Sequence, residues 1–134
     1  MTLEEKTRLC ALAADSRKAE EIVVLNVQPL SSVADHFMIC HGNSDRQVKA
    51  IADAIVEEIK KGGERPLATE GYREATWVLI DCADLVIHIF DEQTRQFYDL
   101  EHLWEQAEYV DISDSVTSVS SPPSTSLLVE EGIE

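Results

Sequence analysis

The sequence predicts a single small α+β domain, on three observations. Apolar residues recur at helical spacing in two stretches, β-branched runs mark several others, and both patterns stop before an acidic, Ser/Pro-rich end. A chain of 134 residues is long enough for one core and too short for two comfortable ones.

Thr2 and Glu5 have capping-box spacing, and Leu9, Leu12 and Ala13 follow at helical intervals, so a first helix is expected to about Glu21. The run IVVLNV (Ile22 to Val27) reads as a buried strand, QPLSSVAD as a turn, and HFMICHG as a second strand ending at Gly42. Ser44 and Gln47 form a second capping box. Val48, Ile51, Ala52, Ile55, Val56 and Ile59 make one broad apolar helix face, closed by Gly62 and Gly63. RPLATEG supplies a short strand, placed at an edge by Pro66. ATWVLID and DLVIHIF flank Cys82 and Ala83 as an antiparallel hairpin. Asp91 and Asp99 are candidate caps for two short helices, EQTRQF and LEHLWEQA. From Tyr109 the composition changes, with five acids and no base to the end. The expected organisation is a folded domain over residues 1–108 and a disordered acidic Ser/Pro-rich tail over 109–134.

The balance of 26 acids against 11 bases gives a formal charge of −15. Nucleic-acid affinity comes largely from Lys and Arg neutralising phosphates, so direct binding to bare DNA, RNA or an anionic membrane is not expected. A basic protein surface would be attracted instead. Cys10, Cys40 and Cys82 are odd in number and widely separated, which fits reduced thiols in a cytoplasmic protein better than a disulfide framework or a zinc knuckle. The start MTLEEKTRLC lacks an apolar signal core, and no apolar run approaches membrane-spanning length. Neither export nor anchoring is expected.

Gly42-Asn43-Ser44 lies between a strand and a helix, where a phosphate cradle or a nucleotidyltransferase turn would sit. That chemistry needs two metal-binding carboxylates at alternate positions of a following strand, whereas Asp53 falls inside the helix with Ile55 two residues on. Helix capping is the better use of Ser44. Asp35, His36, Cys40 and His41 look like metal ligands, but strand alternation puts His36, Met38 and Cys40 on one face and Phe37, Ile39 and His41 on the other. No metal and no cofactor are expected. His88 shares a face with Val86 and Phe90, and reads as a hydrogen-bonded packing residue with Asp81 as a partner rather than a catalytic base. No nucleophile is spaced to complete a triad with it. Trp77, Tyr98, Asp99, Leu100, Glu101, Leu103 and Trp104 form an aromatic and acidic group. Leu100, Leu103 and Trp104 are either the core side of a closing helix or part of an anchor surface for a basic partner.

ADHFMICHGNSDRQVKAIADAI, EGYREATWVLIDCADLVIHIF and TRQFYDLEHLW, in that order over roughly residues 3 to 106, resemble the Iojap-related ribosomal silencing factors. The resemblance implies an α+β sandwich whose mixed β-sheet is related to the nucleotidyltransferase fold but catalytically degenerate. It implies a non-enzymatic translational repressor that binds ribosomal protein L-fourteen on the large subunit, blocks joining of the small subunit when nutrients are scarce, and admits a homodimer. The alternative is a degenerate nucleotidyltransferase-type enzyme acting on a nucleotide or RNA. Motif positions carried onto this chain are Asp35, Gly42, Ser44, Arg46, Glu70, Gly71, Asp81, Arg95, Leu103 and Trp104. Partner contact is expected from Trp77, His88, Tyr98, Asp99, Leu100 and Glu101, with Arg95 pairing to Asp91 at helical spacing.

Overall fold

The computed structural model describes residues 1–113. The elements run α1 (Leu3–Ser16), β1 (Glu20–Asn26), β2 (His36–Gly42), α2 (Asp45–Lys61), β3 (Ala68–Glu70), β4 (Trp77–Asp81), β5 (Leu85–Asp91), α3 (Glu92–Tyr98), α4 (Leu100–Leu103) and β6 (Glu108–Tyr109). The strands form one mixed sheet in the order β3, β4, β5, β2, β1, β6. β2 and β5 are parallel and the other neighbours antiparallel. A parallel pair needs a crossover, and α2 with the β3–β4 hairpin supplies it.

Strand alternation sorts side chains into two cores. Met38 and Cys40 on β2, Ile87 and Ile89 on β5, and Val78 and Ile80 on β4 face α1 and α2, where Cys10, Ile51, Ile55 and Ile59 meet them. Leu25, Ile39, Val86 and Phe90 build the second core on the opposite face, with Phe37, Trp77, Leu79, Leu100 and Trp104 packed against it while part-exposed. Each fully buried aliphatic or aromatic chain contributes about 1.5–3 kcal/mol, so the helix-covered face dominates stability.

α1 stops at Ser16, five residues short of the expectation. Lys18 turns left-handed at φ 65°, its N–H bonds Asp15 O, and the Ala19 N–H reaches Ala14 O, a Schellman closure without glycine. The Gln47 side chain donates to Arg17 O and Lys18 O, tying this closure to the start of α2. Gln47 therefore does not complete a capping box with Ser44. Ser44 Oγ accepts from Gln47 N–H, but Gln47 Oε1 accepts from Asn43 N–H. The Thr2–Glu5 box forms as expected. Lys6, almost fully buried, joins α1 to the β4–β5 turn through Asp84 at 2.8 Å and to Glu64 at 2.9 Å. Burial alone would lower its pKa, but these two carboxylates raise it above the ordinary value.

The expected boundary at residue 108 falls inside the folded part. β6 pairs with Leu25 and Asn26, Val110 N–H bonds Val24 O at 2.8 Å, and Ile112 is 5% exposed in the helix-side core. A two-residue edge strand is too short to leave a periodic signal. The remainder of the expected tail lies outside the described residues. No helix among those described is long and apolar enough to cross a membrane.

Candidate partner-binding face

Register across the sheet decides which side chains share the second face. Glu70 pairs with Leu79, Leu79 with His88 and His88 with Ile39, so these four form one row. Trp77 and Phe90 lie in the row on one side, and Ala68, Asp81, Val86 and Phe37 in the row on the other. Gly71 sets the height of Trp77: at φ 80°, a Cβ there would lie 2.1 Å from Trp77 O, so only glycine fits.

α3 begins directly at the end of β5, where Asp91 Oδ1 accepts the Thr94 N–H at 2.8 Å. Asp91 is thus a helix cap, not the partner of Arg95. Seven residues later Tyr98, 50% exposed, packs its ring 4.8 Å from Trp77, and Phe97 projects 81% exposed beside it. Asp99 joins α3 to α4 with a left-handed backbone at φ 50° and makes no side-chain cap, contrary to expectation. The helix expected over LEHLWEQA is accordingly one turn, Leu100–Leu103. The expected stripe breaks up: Leu103 is 72% exposed, Leu100 is half-buried, and Trp104 packs edge-on against Phe37 at 5.1 Å.

His88 sits at the centre of this face with 5% exposure, its ring 5.0 Å from Phe37. Its Nδ1 accepts the Trp77 Nε1–H at 3.1 Å. Asp81 is not its partner; Asp81 Oδ1 instead accepts the Ala83 N–H and shapes the left-handed turn at Ala83. Burial pushes the imidazole pKa down to about 4, so it is neutral near pH 7. Nε2 is the one buried side-chain nitrogen or oxygen without a hydrogen-bond partner among the described residues.

Arg95 is 6% exposed. Its Nη2 meets Glu101 Oε2 at 2.6 Å, and its Nη1 reaches His41 Nδ1 at 3.0 Å and Glu20 O at 3.3 Å. Glu101, expected at the contact surface, thus clips α4 inward. Among the expected contact residues, Trp77 and Tyr98 reach solvent on the His88 side, Asp99 is exposed at the α3–α4 joint, and Leu100 packs half-buried against the second core. Sequence reading left Phe37, Leu79 and Phe97 out of this group. Strand alternation put Phe37 on this face, but only register brings it beside His88.

The other candidates are occupied elsewhere. Ser44 caps α2, and Asp53 Oδ2 accepts the Tyr72 hydroxyl at 3.1 Å. His36 bonds Thr7 on the helix side, whereas His41 faces Arg95. Burial raises all three thiols, Cys82 to about 11 and Cys40 to about 12, so none is a ready nucleophile. Among the described residues no group of three or more His, Cys, Asp or Glu could hold a metal. Arg46 is exposed, and Asp35 ties the end of the β1–β2 loop through backbone bonds to Val27 and Asp84.

Fold and site together define a small mixed-sheet domain with α1 and α2 on one face of the sheet and, on the other, the short α3 and α4 beside an aromatic surface edged by acids. A sequence model of the family described as ribosomal silencing factor during starvation matches residues 1–128. The chain is 44% identical over 105 residues to ribosomal silencing factor RsfS of Bacillus subtilis, covering 78% of this chain and 89% of that one. It is 41% identical over 117 residues to RsfS of Halalkalibacterium halodurans, covering 87% and 100%. A crystal structure of a Chromobacterium violaceum protein superposes with a TM-score of 0.77 at 32% identity, covering 78% of this chain and 88% of that one. The chain belongs to the ribosomal silencing factor family.

Proposed function

We propose that this protein is a ribosomal silencing factor of the cytoplasm that docks on ribosomal protein L-fourteen of the large subunit and represses translation by excluding the small subunit. The observation that carries the reading is the surface built by Tyr98 on Trp77, with Trp77 bonded to His88, and with exposed Glu70 and part-exposed Asp81 on the same sheet face. Aromatic anchors with an acidic rim suit a basic protein surface. A patch of ~800 Å² on each partner suffices for specific binding, and steric exclusion makes or breaks no covalent bond. The family relatives named above are called silencing factors, which supports the same reading.

The sheet is read here as nucleotidyltransferase-like and catalytically degenerate, because the hydroxyl of Ser44 and the carboxylate of Asp53 are engaged in capping and in the Tyr72 bond. A second copy of the chain is the rival occupant of the face. Subunit joining followed by light scattering tests the proposal. The wild-type chain is expected to suppress joining, and Tyr98→Ala to relieve that suppression at least tenfold in the concentration needed, with its melting temperature nearly unchanged. Normal joining at saturating wild-type protein would overturn it.

A further inference from the structure

We propose that His88 is a tautomer-locked hydrogen-bond donor for the docking partner, and that the partner meets it with a neutral main-chain carbonyl carried on a basic segment. This rests on the docking reading above. The indole nitrogen of Trp77 can only donate, so the 3.1 Å contact makes His88 Nδ1 the acceptor. A neutral imidazole has one N–H, which is then on Nε2. That N–H is buried, has no partner among the described residues, and lies in a ring packed by Phe37 and Phe90.

A buried donor left unpaired is costly, and recovering that bond at an interface favours the bound state. The partner group must be an acceptor, because the site already supplies the donor. A carboxylate is disfavoured, since Glu70 lies in the row of His88 and Asp81 in the next, and both would repel it. A main-chain carbonyl between Lys or Arg residues satisfies both conditions: the carbonyl takes the Nε2–H while the cations pair with Glu70 and Asp81. Phe37, in edge contact with the ring, and Leu79, the cross-strand neighbour of His88, are part-exposed on this face, and side chains here must shift on docking, an ordinary adjustment at interfaces. The geometry assigns Trp77 a second role, positioning the donor as well as offering contact area.

Purified large subunits are the probe, with binding measured by co-sedimentation for the wild-type chain, His88→Phe and His88→Gln. The expected result is a loss of about tenfold or more for His88→Phe, from the acceptor left unpaired, with binding restored to within a few-fold by His88→Gln, which keeps an amide donor. Nitrogen-15 spectra of the free wild-type protein are expected to show His88 neutral and protonated at Nε2. Equal binding by wild type and His88→Phe would overturn the donor role and leave the docking reading standing. No binding by wild type would remove both. A ring protonated at Nδ1 would overturn the proposal even if the variants fail to fold.

Discussion

His88 shows how one side chain makes stability depend on pH. Its folded pKa of about 4 lies below the ordinary 6.5, so between those values the unfolded chain holds a proton there that the folded chain does not. Its full contribution is present above pH 6.5, falls as pH drops, and is lost below about 4. A gap of this size is roughly 3 kcal/mol. Thermal melts from pH 7 to pH 4 are expected to fall more steeply for the wild type than for His88→Phe, which lacks the group. His36, also lowered chiefly by burial, acts in the same direction in both proteins and cancels in the comparison. Parallel curves would mean that His88 is protonated at little cost.

At the scale of elements, the face depends on how α3 and α4 are fixed, and Asp99 alone does not fix them. The left-handed joint lacks a side-chain cap, leaving the Arg95–Glu101 pair as the side-chain ion pair holding α4 to α3. Removing one partner of a buried pair costs ~3–5 kcal/mol. Because Glu101 is part-exposed and Arg95 keeps His41 and Glu20 O, Glu101→Gln is expected to cost about 1–2 kcal/mol in urea denaturation. A neutral outcome would show that the pair does not hold α4 in place. The sequence already carried the alternation of β2 and β5, the amphipathic face of α2 and the edge position of β3, since each is written in consecutive residues. Closure of α1 by Lys18 and the inward turn of Glu101 were not legible. The first uses a left-handed residue other than glycine, and the second depends on a guanidinium six residues away across a joint. The row joining Leu79, His88 and Ile39, with Phe37 in the next, needs strand register, which three separated segments do not reveal singly.

Across the whole molecule, the charge of −15 bears on association more than on fold. A strongly anionic body meeting a basic protein surface is drawn in at long range, an effect that acts mainly on the association rate and is screened over ~10 Å at ~0.1 M salt. Once the surfaces meet, the Trp77–Tyr98 stack and the groups around His88 set the dissociation rate, and these are short-range and largely desolvated. Salt therefore separates the two contributions. In stopped-flow mixing with large subunits, the association rate constant is expected to fall by about tenfold or more between ~0.05 M and ~0.5 M monovalent salt, with dissociation changing only a few-fold. An association rate indifferent to salt would show that the acidic surplus has no part in finding the ribosome, leaving the aromatic face to account for recognition alone.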